Sequence, residues 1–290
     1  MKISVSSYSF SQIISSGKIT QADTPEEARK IGFDAIEFTD LAGEHYDAQA
    51  ENAIKIKEKC DKLGMEISAY TIYANLYQPD TIDTETERIK KQLDIAKILG
   101  VPVLRHDACW SLEKRSFGLM LPDIAAAARK ITEYAKELGI KTCVENHGYI
   151  AQDSYRMEQL FNCVNHENFG LLVDMGNFVC ADEDSASAVS RLAPYAVHVH
   201  AKDMYVFDGN VPHGSFTRGG NKFEGAVIGE GIIPIEQDVR ILKLAGYDGT
   251  ISIEYEGNRD CIEGIAEGRK YLKAVIEKVE KRACEVFSVN

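Results

Sequence analysis

A single (β/α)8 TIM barrel spanning residues 1–290 is the fold this sequence predicts, on three observations. Short β-branched or aromatic runs alternate with helical periodicity at intervals of about thirty residues, as βα units around a parallel sheet do. Helical runs end at glycine just before a strand, at Leu63-Gly64, Leu99-Gly100, Leu138-Gly139 and Ala245-Gly246. An internal echo joins the two ends of the chain. Ile31-Gly32-Phe33-Asp34-Ala35-Ile36-Glu37-Phe38 matches Ala245-Gly246-Tyr247-Asp248-Gly249 followed by Ile251, Ile253 and Glu254.

Eight strands are expected near residues 3–8, 33–38, 66–72, 101–106, 140–146, 169–174, 196–201 and 249–255. The first ends in Ser6-Ser7-Tyr8-Ser9, without the Gly-rich phosphate turn that a doubly wound dinucleotide fold would carry there. Thr24-Pro25-Glu26-Glu27 then sets a capping residue before a proline and two carboxylates, the chemistry of a helix start. The rhythm breaks once, between the seventh strand and Pro234. Residues 202–233, rich in Gly, Asn, Phe and charge, are expected to be a lid-like loop on the active face. A C-terminal helix is expected at about 260–284.

Composition narrows the partners. The 44% apolar share is ordinary for a soluble protein, and no apolar run reaches the ~18 residues of a membrane span. MKISVSSYSF alternates polar and apolar residues instead of forming a signal peptide, so a cytoplasmic protein with no membrane partner is expected. A net charge of -12 opposes binding to a phosphate polymer, which disfavours nucleic acid. The seven cysteines form no CxxC pair and read as buried thiols.

In a barrel of this class the carboxyl ends of the strands floor the active-site mouth. The fifth run, IKTCVENHG, ends there in Glu145, Asn146 and His147. The last four runs together end in Glu145, Asp174, His200 and Glu254. Three carboxylates and one imidazole in register suit a single divalent ion, with Mn2+ the first choice and Co2+, Mg2+ or Zn2+ alternatives, and not a thiolate site.

Val144-Glu145-Asn146-His147-Gly148, Leu172-Val173-Asp174-Met175-Gly176-Asn177, His198-Val199-His200-Ala201-Lys202-Asp203, Gly229-Glu230-Gly231 and Ser252-Ile253-Glu254 together resemble the xylose-isomerase-like sugar isomerase/epimerase family. The resemblance implies a TIM barrel that holds one divalent metal through Glu145, Asp174, His200 and Glu254. It also implies that Glu145 and Glu254 act as acid and base, epimerising or isomerising a small sugar substrate through an enediolate. Dehydratases and lyases of the same family begin with the same proton abstraction, and there His147 would serve as the acid. Family members are often dimers or tetramers, so a homo-oligomer is compatible with the resemblance. The chain departs from the family's epimerases at Asn177, where some carry a histidine, and at Ala151, where some carry a glutamate.

Other candidates have competing readings. His147 is a third catalytic candidate or a hydrogen-bonding neighbour of the site. Asn177 and Lys202 are expected at the mouth as substrate contacts, although Lys202 could instead pair with Asp203. His106 would contact substrate or orient a neighbour, and Arg218, within the lid, would meet an anionic substrate group or stay solvated. Tyr70 and Trp110 would stack on a sugar ring or belong to the rim and core. His198 is expected to be a core histidine. A DNA-cleaving trinuclear zinc site would need more histidines, and a two-metal hydride shift would need further carboxylates, for which only Asp203 and Asp208 are near. A non-catalytic sugar-binding barrel would not need two proton-transfer groups on one ion.

Overall fold

The computed structural model describes residues 1–77, 80–110 and 115–287, with side chains to residue 282. The strands are β1 Lys2–Ser6, β2 Ala35–Thr39, β3 Glu66–Ile72, β4 Val103–His106, β5 Lys141–Glu145, β6 Phe169–Asp174, β7 Ala196–Ala201, β8 Asp203–Phe207, β9 Ser215–Phe216, β10 Lys222–Ala226 and β11 Thr250–Ile253. β1 to β7 and β11 close into a ring in chain order, each parallel to its neighbours. This is the eight-strand barrel that the spacing of the runs predicts.

Helices lie between the strands: α1 Ser11–Ser15, α2 Thr24–Ile31, α3 Tyr46–Leu63, α4 Ile82–Leu99, α5 Phe117–Leu138, α6 Ser154–Val164, α7 Ser185–Leu192, α8 Ile235–Leu244 and α9 Cys261–Phe287. Gly64, Gly100 and Gly139 close α3, α4 and α5 at φ between 62 and 73°, where a side chain would clash with the backbone. One start differs from expectation. Asp23 caps α2, Thr24 lies inside the helix, and Thr20 and Asp23 form a capping box on the turn before it.

The core follows the two periods. A large apolar cluster fills the space between ring and helices, and a small one of Ala69, Val103, Cys143 and Leu172 lies apart from it. Strand alternation explains the split, because residues two apart share a face. Each of those four stands two positions before a residue of the mouth or the ligand set, namely Thr71, Arg105, Glu145 or Asp174. The same rule aligns Glu37 with Thr39, His198 with His200, and Ser252 with Glu254. The ring is therefore apolar outside and increasingly polar toward the carboxyl end inside.

The stretch expected as a loop holds secondary structure. β8, β10 and β9 form a three-stranded antiparallel sheet between β7 and α8. Asp203 anchors its base, since its buried carboxylate accepts from the backbone N–H groups of Met204, Gly229, Gly231 and Ile233 at 2.8–3.1 Å. Gly231 is required there, because a Cβ would lie 2.1 Å from the Asp203 carboxylate. The far end docks on the loops after β5 and β6. Arg218 donates to Asp153 at 2.9 Å and to the carbonyl of Tyr149, and Thr217 donates to Asp182 at 2.7 Å.

Candidate metal centre and active-site mouth

Glu145, Asp174, His200 and Glu254 meet at the carboxyl end of the ring. One ligand-type atom from each lies within 4.8 Å of all the others. His200 Nδ1 is central, 3.5 Å from Glu145 Oε1 and 3.6 Å from both Asp174 Oδ2 and Glu254 Oε2. His200 Nδ1 and Asp174 Oδ2 are buried and make no hydrogen bond. An orphaned imidazole nitrogen and a carboxylate oxygen whose one near partner is the Lys202 ammonium, with two more carboxylates around them, fit a divalent cation of mixed oxygen and nitrogen preference.

The orientation of His200 comes from a residue that the sequence reading missed. Glu37, fully buried in the middle of β2, accepts from His200 Nε2 at 3.0 and 3.1 Å and from His198 Nε2 at 2.6 Å. With its proton on Nε2, His200 must turn a lone pair outward at Nδ1, an arrangement common to metal-binding histidines. The internal echo aligned Glu37 with Glu254, and that was its one sequence signal. His198 accordingly lies buried beneath the ligands.

A second network flanks Glu145. Arg105 Nη2 lies 2.6 Å from both Glu145 Oε2 and Asp107 Oδ1, and Asn177 Nδ2 donates to Glu145 Oε1 at 2.9 Å. Burial would raise the Glu145 carboxyl, but Arg105 and His200 hold it well below its ordinary value. Asp107 Oδ1 also lies 2.8 Å from His147 Nδ1. Arg105 Nη2 is 3.0 Å from the same nitrogen. Two acceptors at 2.8 Å would repel, so Nδ1 carries the proton and donates to Asp107, which leaves Nε2 as the basic nitrogen of a neutral His147. Burial opposes the imidazolium, yet the Asp107 hydrogen bond prevails and raises the His147 pKa.

Lys202 completes the floor. Its Nζ lies 2.5 Å from Glu254 Oε2, 3.3 Å from Asp174 Oδ2, 3.2 Å from Asn177 Oδ1 and 3.4 Å from Glu256 Oε1. Burial would raise the Glu254 carboxyl, but Lys202 and then His200 bring it down to about 2.

The mouth above is a cavity of about 340 Å3 whose walls include Tyr8, Asp40, Thr71, Tyr73, Trp110 and Glu256. Trp110 stacks on Tyr73 and meets the His147 ring edge-on at 4.8 Å between centroids. Gly148 lets this loop approach, since a Cβ would lie 3.2 Å from the Cys109 carbonyl.

Three expected contacts stand away from the mouth. Tyr70 and His106 sit on the opposite face of their strands from Thr71 and Arg105. Tyr70 donates to Gln92 on α4 at 2.6 Å, and His106 is fully buried, with its pKa pushed down to about 4 by that burial. Successive side chains of a strand point to opposite faces, and it is Thr71 and Arg105, not Tyr70 and His106, that face the mouth. Arg218 is held at the docked end of the small sheet, outside the mouth. Asp203 is committed to backbone N–H groups and Asp208 is exposed on its own turn, which leaves neither for a second metal.

Residues 25–275 match the model of the family described as xylose isomerase-like TIM barrel. The chain belongs to that family. It is 24% identical over 280 residues to an inosose dehydratase of Lacticaseibacillus casei, covering 89% of this chain and 94% of that one. Among solved structures, L-ribulose 3-epimerase superposes with a TM-score of 0.76 at 17% identity, over 98% of this chain and 97% of that one. A family member from Mycobacterium smegmatis, solved in complex with magnesium, has a TM-score of 0.72 at 19% identity, over 89% of this chain and 88% of that one. These structural likenesses establish the barrel. Among the described residues, no helix is long and apolar enough to cross a membrane.

Proposed function

We propose that this family member is a divalent-metal-dependent enzyme that abstracts the proton beside the carbonyl of a sugar or sugar-like polyol ketone and yields an isomer or epimer. The observation that carries this reading is the orphaned His200 Nδ1, ringed by carboxylate oxygens of Glu145, Asp174 and Glu254 at 3.5–3.6 Å, in a mouth shared with the Asp107–His147 pair. Glu145, Asp174, His200 and Glu254 would hold the ion, which when bound supplies the positive charge that makes a neighbouring C–H acidic. Mn2+ is the first choice for this donor set, with Co2+, Mg2+ and Zn2+ as alternatives.

Proton transfer then falls to His147 and to Glu254, of whose oxygens Oε2 is engaged by Lys202. Both Glu145 oxygens are engaged, by Arg105 and Asn177, so Glu145 serves chiefly as a ligand. Glu254, at the end of β11, and His147, just past β5, stand three strands apart around the ring and form the acid/base pair. Trp110 packs edge-on against His147 and, with Tyr73, offers an apolar face to a ring.

A dehydratase or lyase is the second reading. The engagement of Glu145 favours it, because with one carboxylate occupied, His147 can pass its proton to a leaving hydroxyl instead of returning it to carbon. The similarity to inosose dehydratase supports the same reading. Mass spectrometry of products from a panel of keto-sugars and cyclitols separates the two. Unchanged mass supports the isomerase or epimerase, and loss of water or an aglycone supports the lyase. A panel left untouched by the metal-loaded protein would contradict both.

A further inference from the structure

Lys202 stands where a general substrate contact would not need to stand. Its ammonium is 2.5 Å from Glu254 Oε2 and 3.3 Å from Asp174 Oδ2, the oxygens that face His200 Nδ1. These are also the atoms that the proposed centre offers to a metal. A divalent ion on either oxygen would face the ammonium across a single atom, and like charges so close in a buried site repel strongly. Lys202 is buried at 2% exposure and cannot retreat into water. Its stem is also pinned, because the Gly176 backbone approaches so closely that a Cβ there would lie 2.9 Å from Lys202 Cγ. Only the end of the chain is free to turn. Two oxygens away from the ligand set already lie within reach, Asn177 Oδ1 at 3.2 Å and Glu256 Oε1 at 3.4 Å.

We propose that Lys202 is the internal counter-ion of the ligand carboxylates, competing with the metal for Glu254 and Asp174, and that Glu256 receives the ammonium when the metal binds. Metal affinity is then set by a residue that is not a ligand. Loading also points Lys202 and Glu256, as a pair, at the wall of the mouth. Glu256 is 31% exposed there and lines both the main cavity and the adjoining pocket beneath β10, so the pair would meet a substrate hydroxyl only after the metal is in place. The proposal rests on the metal centre described above and is independent of which reaction follows.

The test is Mn2+ titration of chelator-treated protein by calorimetry, with free Mn2+ read in parallel by electron paramagnetic resonance. Wild type is compared with Lys202→Met, Glu256→Gln and the double variant, and circular dichroism checks each fold. Lys202→Met is expected to bind Mn2+ about tenfold tighter or more, because the competing charge is gone. Glu256→Gln, at the partly exposed rim, is expected to bind several-fold weaker, and that loss is expected to shrink or vanish when Lys202 is already methionine. Unchanged or weaker binding by Lys202→Met would overturn the proposal. So would a Glu256→Gln loss of equal size in both backgrounds, since Glu256 would then act on the metal directly. If wild type binds no Mn2+ and Asp174→Asn titrates identically, the metal centre itself fails, which differs from a failure confined to Lys202.

Discussion

Glu37 carries more of the centre than its place in the sequence suggests. Its two oxygens hold His198 and His200 at 2.6–3.1 Å, and through His200 they fix which nitrogen is offered to a metal. Glu37→Gln replaces one acceptor oxygen with a donor that faces an imidazole N–H. Mn2+ affinity is expected to fall about 10- to 100-fold, as measured by the same titration. Unchanged affinity would mean that His200 is oriented by packing alone. Asp107 plays the corresponding part for His147. Asp107→Asn is expected to leave Mn2+ binding within about threefold while slowing turnover about 10²- to 10⁴-fold, because the imidazole loses its tautomer and its orientation. Equal losses in both measurements would assign Asp107 to the integrity of the Arg105–Glu145 network instead.

At the scale of elements, α8 meets α7 through one buried carboxyl with too few protons around it. Ser185 Oγ lies 2.7 Å from the Met175 carbonyl and 2.8 Å from Asp238 Oδ2, and it has a single hydrogen for the two acceptors. Asp238 Oδ1 has no partner. A protonated Asp238 resolves this by donating to Ser185, which then donates to Met175. Burial accordingly pushes the Asp238 carboxyl up to about 7, and the Ser185 hydrogen bond offsets only part of the rise. For an acid whose folded-state pKa is raised, the stabilisation is complete below the unfolded value near 4 and is lost as pH rises toward 7. Asp238→Asn should remove that loss. In urea titrations from pH 4 to 7.5, wild type should lose roughly 2–4 kcal/mol relative to the variant. Parallel curves would contradict a protonated Asp238. The small sheet is a second case. Arg218, Thr217 and Gly219 tie its far end to Tyr149, Asp153 and Asp182, and Tyr149 and Asp182 sit at positive φ of 64 and 57°. Arg218→Ala should speed hydrogen exchange across 203–226 about tenfold or more without changing Mn2+ affinity, consistent with a lid that closes by docking. Unaltered exchange would make Arg218 incidental to closure.

At the scale of the molecule, the ring and the cluster of Glu145, Asp174, His200 and Glu254 were legible because both rest on local signals, namely strand alternation, glycine stops and polar residues at strand ends. What failed to show was of two kinds. Tyr70 and His106 fall on the outer face although their strands end where expected, at Ile72 and His106, because both faces of a barrel strand are buried and the bounds alone do not say which face turns inward. Arg105, Asp107 and Glu37 were missed because their roles depend on partners far along the chain. Glu37 and His198 are separated by 161 positions, and only closure of the barrel brings them together. The expected loop over 202–233 folded as a sheet because Asp203, at its base, collects four backbone N–H groups that no periodicity announces. The central claim is that a metal held by Glu145, Asp174, His200 and Glu254 acidifies the C–H beside a carbonyl in this mouth. Its most direct test is incubation of the Mn2+-loaded protein with keto-sugars and cyclitols in D2O, read by NMR for deuterium at the carbon next to the carbonyl. The account predicts exchange at that carbon for at least one compound, lost on chelation and in Asp174→Asn. Exchange that survives both treatments, or none in any compound with the metal bound, would contradict it.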